Sequence, residues 1–170
     1  ELINWHRETV DVIVNTGIDY LAFETVPALK EAEAIVQLLQ EYPSTKAWIS
    51  FSCKDGEHTC HGEKFSDAVK VAASSPSVVA VGINCTPPQY IKSLLKSSEN
   101  EIGDKIFVVY PNGASYIGGG LWKKNENNKN LCAYVPDWIN AGANWIGGCC
   151  MIGSQQIQDI RQAMVDTIAK

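Results

Sequence analysis

Val78-Val79-Ala80-Val81-Gly82-Ile83-Asn84-Cys85 is an apolar run that ends on an amide and a thiol. A second run of the same kind, Ala143-Asn144-Trp145-Ile146-Gly147-Gly148-Cys149-Cys150, ends on two thiols. Near-continuous apolar strands belong in parallel sheets, where both faces are covered. Each run leads into a segment with helical spacing. In a parallel β/α fold all strand C-termini lie at one end, so Cys85, Cys149 and Cys150 are read as converging on one metal ion. Zinc takes thiolates readily, and a catalytic zinc site typically has three protein ligands and one open position. The pattern suggests an enzyme that binds and activates a thiol substrate.

Neighbouring side chains of a regular strand point to opposite faces. Cys149 and Cys150 can therefore face one ion only if the backbone leaves strand geometry, which Gly147-Gly148 permits. The competing reading treats these residues as small buried hydrophobes. That suits a single cysteine in a strand better than three thiols at two strand ends.

On either side of these runs, the pattern predicts a helix over Ile3–Asn15 with Gly17 as its cap, then a strand over Asp19–Thr25. A helix follows over Ala28–Glu41, with Leu29, Ala32, Ile35, Val36 and Leu39 on one face. Next come a strand over Lys46–Cys53, a polar loop over Lys54–Lys64 and a helix over Ser66–Ser74. After Cys85, Pro87-Pro88 opens a helix to Lys96, and Lys105–Tyr110 forms a strand. Gly118–Asn130 is expected to be an irregular loop. Helices over Tyr134–Ala141 and Ser154–Ala169 flank the last strand. One helix followed by five β/α units implies a parallel sheet with outer helices. Such a series fits either an open doubly wound sheet or part of an eight-stranded barrel.

The chain has 170 residues, is 45% hydrophobic and carries a formal charge of −5. That is enough for one core. Scattered Lys and Arg form no basic stripe, which argues against nucleic-acid binding. The apolar runs are strand-sized, short of the roughly twenty residues that cross a membrane. Glu1–Arg7 reads as the middle of an amphipathic helix rather than a signal peptide, so the chain is expected to belong to something longer. Six cysteines in an α/β pattern point to a reduced, cytoplasmic setting.

Glu24 interrupts an apolar run at a strand end, where ligands bind, and a carboxylate there suits an amino group. Cys53, His58, Cys60 and His61 are good ligand types, but their spacing matches no structural zinc site. They are read as a polar loop over the site, with His58 a candidate substrate contact. Gly118-Gly119-Gly120 has neither phosphate-loop spacing, and Trp122, Trp138 and Trp145 are read as packing.

Taken together these residues resemble the homocysteine S-methyltransferase family, which includes betaine- and S-methylmethionine-dependent enzymes. The matching pieces are Phe23-Glu-Thr-Val-Pro-Ala28 with Glu31-Ala32, Ser50-Phe-Ser-Cys-Lys-Asp-Gly56, His58, Gly62-Glu63, Gly82-Ile-Asn-Cys85, Tyr110-Pro-Asn112 and Gly147-Gly-Cys-Cys150. The Glu-Thr-Val-Pro and Lys-Asp-Gly pieces look closer to the S-methylmethionine type. The resemblance implies a (β/α)8 TIM barrel with one zinc on Cys85, Cys149 and Cys150 and homocysteine sulfur in the open position. It gives Glu24 the substrate amino group and places Asn84 in support of the site, beside the ligand Cys85. Residues 1–170 would be a partial homocysteine-binding barrel domain, strands four to eight, with three preceding units missing. Gly113-Ala-Ser-Tyr116 departs from the family's usual Ser-Gly-Glu.

The implied activity is zinc-dependent methyl transfer from S-methylmethionine or S-adenosylmethionine to homocysteine thiolate, forming methionine. The alternative is a catalytically incomplete barrel fragment that binds zinc or a partner chain without turnover. A redox role for Cys149-Cys150 is weaker, because adjacent cysteines form a strained ring.

Overall fold

The run Val78–Asn84 forms β3, the centre of a five-stranded parallel sheet. Its β-branched side chains suit a pleated surface covered on both sides, and six of its seven residues are buried. The computed structural model describes residues 1–124 and 131–169. Helix α1 (Leu2–Val14) precedes β1 (Tyr20–Val26), α2 (Leu29–Leu39), β2 (Lys46–Phe51) and α3 (Phe65–Ala73). After β3 come α4 (Pro88–Ser97), β4 (Ile106–Tyr110), β5 (Ala114–Gly118) and β6 (Leu121–Lys124). A 3-10 turn (Leu131–Tyr134), α5 (Val135–Asn140), β7 (Ala143–Ile146) and α6 (Ser154–Ile168) complete the chain.

The strand order is β1-β2-β3-β4-β7, in chain order, and every pairing is parallel. A doubly wound sheet reverses direction at a switch point. No reversal occurs here, so the two architectures left open by periodicity are separated in favour of the barrel type. The sheet is a partial (β/α) barrel whose edge strands are β1 and β7.

One face of the sheet is sealed by helices. Leu21, Phe23, Ile49, Phe51, Val81, Ile83, Phe107 and Val109 are buried with Ile35, Leu38 and Leu39 of α2 and Phe65, Val69 and Ala72 of α3. Ile91, Leu94 and Leu95 of α4, with Trp138 of α5, extend the same core. These helix positions recur every three or four residues, as a core-facing stripe requires. On the other face Ser50, Gly82, Val108 and Trp145 stand in one row across four strands. Tyr20, Ala22 and Glu24 of β1 alternate with buried neighbours and are exposed on that inner face. Large exposed apolar residues gather toward the two sheet edges, Trp5, Val12, Ile18 and Tyr20 in and around β1, Trp145, Ile157, Val165 and Ile168 in and around β7.

One expectation is corrected. Residues 114–124, assigned in part to an irregular loop, form an antiparallel hairpin of β5 and β6. Gly118, Gly119 and Gly120 all have left-handed φ (93°, 59° and 78°). That conformation reverses a chain between two short strands and is nearly closed to other residues. Residues 125–130 of the expected loop lie outside the described residues. Other predicted boundaries hold to within a few residues, though Cys53 and Cys85 fall beyond their strands.

Gly82 is required by close approach. A Cβ there would lie 1.6 Å from the Val108 carbonyl oxygen, inside the β3–β4 ladder. Gly82→Ala should therefore destabilise the protein by about 3 kcal/mol or more, as overpacking against backbone does. Chemical denaturation measures this, and an unchanged unfolding midpoint would refute the tight ladder.

Candidate metal centre

Cys85 leaves β3 and Cys149-Cys150 follow β7, with β4 lying between them. Strands two places apart are separated by roughly 9.5 Å. The sulfurs nevertheless meet. Cys85 Sγ is 2.9 Å from Cys149 Sγ and 3.8 Å from Cys150 Sγ, and the last two are 3.9 Å apart. The chain spans β4 by anchoring to its exit. Cys149 N–H donates to the Pro111 carbonyl (2.9 Å), and Gly113 N–H donates to the Cys150 carbonyl (2.8 Å). Asn112 N–H donates to the Thr86 carbonyl (3.0 Å), so the exit of β4 is stitched to both thiol segments.

β7 ends at Ile146, and residues 149–152 close a turn through Ile152 N–H to the Cys149 carbonyl (3.1 Å). The backbone thus leaves strand geometry before the paired thiols, as their common facing demands. The glycines act differently from the expectation, however. Neither Gly147 nor Gly148 has a left-handed φ. A Cβ on Gly148 would lie 2.3 Å from the Ile152 side chain, so its contribution is room for the turn.

Among the described residues, only three that are not glycine have left-handed φ: Thr25 (60°), Cys85 (49°) and Met151 (65°). All three sit at or beside the thiol cluster. Such backbone costs on the order of 1–3 kcal/mol per residue and persists where its surroundings impose it. At β1 the register shifts between Phe23 and Val26, so Glu24 and Thr25 are exposed in succession. A bulge of this kind re-aims side chains next to a site. Asn84 is buried and its amide is spent within the protein. Its Oδ1 accepts the Thr25 N–H (2.8 Å), and its Nδ2 donates to Thr25 Oγ1 (2.8 Å) and faces Cys149 Sγ at 4.0 Å.

Glu24 lines an open cavity of about 300 Å³ with Trp48, Val108, Tyr110, Trp145 and Gly147-Gly148, the residues leading into Cys149. The Tyr110 hydroxyl accepts the Trp48 indole N–H (3.0 Å) and is hydrogen-bonded to Ser50. Burial, and also the neighbouring Glu24 carboxylate, push the Tyr110 pKa up. Trp48 and Trp145 meet edge-on at 6.3 Å.

Burial first, then the neighbouring Cys149, raise the Cys85 pKa to about 12. Burial likewise raises Cys150. Without a cation Cys85 and Cys150 stay protonated, because burial disfavours their thiolates. Among the described residues, this trio alone brings three His, Cys, Asp or Glu ligand atoms within 4.8 Å of one another.

The rival set of Cys53, His58, Cys60 and His61 does not gather. Cys53 is buried and its thiol is pushed up by burial. His58 Nδ1 lies 3.1 Å from both Asp55 oxygens, and His61 Nδ1 lies 2.7 Å from Glu63. The loop still sits at the site's end of the sheet. Cys53 N–H donates to Thr86 Oγ1 and His61 N–H to the Pro27 carbonyl, each at 2.9 Å. Sequence reasoning missed Thr25 and the Ser50–Trp48–Tyr110 network, although Thr25, Ser50 and Tyr110 lie inside stretches singled out as motifs and Trp48 just before one.

No described helix is long and apolar enough to cross a membrane. The profile of the homocysteine S-methyltransferase family matches residues 1–164. Homocysteine S-methyltransferase YbgG of Bacillus subtilis is 40% identical over 162 residues, covering 94% of this chain and 51% of that protein. Selenocysteine Se-methyltransferase of Brassica oleracea is 35% identical over 169 residues, 96% of this chain and 49% of that one. A metallated form of the homocysteine methyltransferase MmuM from Escherichia coli superposes with a TM-score of 0.79 at 34% identity. It covers 95% of this chain and 50% of its own. The chain thus spans about half the length of the curated relatives it matches. With three sulfurs gathered at the strand ends of a parallel half-barrel and the family profile matched nearly end to end, this chain belongs to the homocysteine S-methyltransferase family.

Proposed function

We propose that the chain carries the metal-binding half of a zinc-dependent methyltransferase. Its reaction moves a methyl group from a sulfonium donor, S-methylmethionine or S-adenosylmethionine, to homocysteine, giving methionine. The observation that carries this reading is the meeting of the Cys85, Cys149 and Cys150 sulfurs within 4.8 Å. The donor set suits zinc. Ligands of a tetrahedral site with Zn–S near 2.3 Å lie about 3.8 Å apart. Two of the three sulfur pairs, at 3.8 and 3.9 Å, have that spacing, and the third is shorter at 2.9 Å. Three protein ligands leave the fourth position for substrate sulfur. Bound there, zinc supplies the positive charge that favours a thiolate over a thiol.

Glu24 holds the homocysteine amino group, and Tyr110, fixed by Trp48 and Ser50, orders the same cavity. Asn84, whose amide faces the Cys149 sulfur, supports the site from beside its neighbour Cys85. In the reaction one sulfonium S–CH3 bond breaks and one S–CH3 bond forms on homocysteine. The thiol proton passes to solvent and the donor sulfur becomes a neutral thioether. Holding both sulfurs in line is the main catalytic task, since the departing group needs no proton.

A second reading, a barrel fragment that binds zinc or a partner chain without turnover, is favoured by the exposed Glu24 on the inner face. Methyl transfer from each sulfonium donor to homocysteine, followed as methionine formed by zinc-loaded protein, separates the two. Turnover supports the enzyme; zinc binding without turnover under any donor selects the second reading.

Two further outcomes are expected. Glu24→Gln should raise the homocysteine KM about 10- to 100-fold, the worth of one charged hydrogen bond, with zinc content unchanged. An unchanged KM would remove Glu24 from the substrate. Metal binding must also expel thiol protons, since Cys85 and Cys150 titrate above their ordinary range. Zinc affinity, read by chelator competition, should therefore fall about tenfold per pH unit on acidification for each thiol that loses a proton.

A further inference from the structure

We propose that Cys85, Cys149 and Cys150 form a capture site for trivalent arsenic, entering as neutral arsenous acid, which closes on all three sulfurs and shuts out zinc and substrate. This rests on the reading that the three sulfurs act as one ligand set, and not on turnover.

The number and spacing of the sulfurs carry the assignment. A trivalent arsenic centre forms three bonds to sulfur and keeps a lone pair on its remaining side. The lone pair narrows its valence angles below those of tetrahedral zinc, whose sulfur ligands lie about 3.8 Å apart. Arsenic therefore suits a trio that is drawn in tighter. The sulfur pairs here lie at 2.9, 3.8 and 3.9 Å, none wider than the zinc spacing by more than a tenth of an ångström and one well inside it. Thiolates also select soft centres. The sulfurs are held before anything binds. Cys85 sits on left-handed backbone (φ 49°), Cys149 N–H donates to the Pro111 carbonyl (2.9 Å), and Gly113 N–H donates to the Cys150 carbonyl (2.8 Å). Ligands already in place cost little further ordering on binding.

Access favours a small neutral acid. All three thiols are partly exposed. Gly147-Gly148, which lead into Cys149, line the open cavity that also holds Glu24. A carboxylate there repels anions such as arsenate, whereas arsenous acid is uncharged at neutral pH. The step needs no oxidant or reductant. Three As–O bonds of As(OH)3 and three S–H bonds break, three As–S bonds form and three waters leave, with arsenic trivalent throughout. A three-ligand zinc keeps an open position for substrate sulfur; the arsenic product has none. Cys53 is buried, and among the described residues none of Cys53, Cys60 and Cys132 belongs to a three-ligand group.

The test titrates reduced, zinc-free protein with arsenite and reads intact mass and alkylatable thiols, with zinc affinity measured in parallel. One arsenic should bind per chain with the loss of three hydrogens, and three of the six cysteines should be shielded from alkylation. Cys85→Ala and Cys150→Ala should each lower arsenite affinity at least about 100-fold, because the third bond closes within the protein. Cys132→Ala should leave it unchanged. An excess of a small dithiol should remove the arsenic and restore zinc binding. Arsenite bound with the loss of only two hydrogens, or as tightly by Cys150→Ala as by the unsubstituted protein, overturns the three-sulfur site. So does a protein that takes zinc but no arsenite. Arsenite bound by protein that takes no zinc supports the capture site and overturns the zinc reading instead. Folded protein that binds neither overturns both.

Discussion

Three sulfurs from two non-adjacent strands must reach one point, and much of the local structure answers to that demand. Cys85 and Cys149-Cys150 flank β4 at roughly twice the strand spacing. The exit of β4 at Pro111–Gly113 is tied by hydrogen bonds to both thiol segments. The backbone turns out of β7 before the paired thiols, and Gly148 makes room for Ile152 in that turn. Left-handed backbone at Thr25, Cys85 and Met151 completes the convergence. Parallel strands in chain order put all of these exits at one end.

Convergence has an electrostatic consequence. Close, half-buried thiols resist ionisation, as the raised pKa values of Cys85 and Cys150 show. A cation reverses the balance, because each thiolate then has a partner. The protein adds one donor of its own, the Asn84 amide, which faces Cys149 Sγ at 4.0 Å. Beside the sulfurs, the cavity of Glu24, Trp48, Tyr110 and Trp145 combines a carboxylate with aromatic walls. This pairing of a three-thiol cluster with an anionic, aromatic recess suits an amino-thiol ligand.

The fold was largely legible because its signals are periodic. β3 and the stripe of α2 follow from apolar spacing alone, and only the strand order was needed to choose the barrel type. The thiol trio was legible because two apolar strands that both finish in cysteine point to a shared ligand more readily than to packing. The β5–β6 hairpin was obscured by three glycines, which signal a loop in composition and a tight reversal in space. Thr25 was not legible at all. Propensity places a threonine comfortably within a strand, whereas its left-handed φ is imposed by Asn84, 59 residues away in sequence. Glu24 stood out as a lone carboxylate in an apolar run, but the bulge that aims it alongside Thr25 exists only in the folded sheet.

Whether the three sulfurs act as one metal site is decided most directly by the zinc content of freshly reduced, folded protein beside a Cys85→Ala variant. We expect about one zinc per chain, lost in the variant, because three ligands define the site. Folded protein without zinc, or zinc retained in Cys85→Ala, would contradict the shared site.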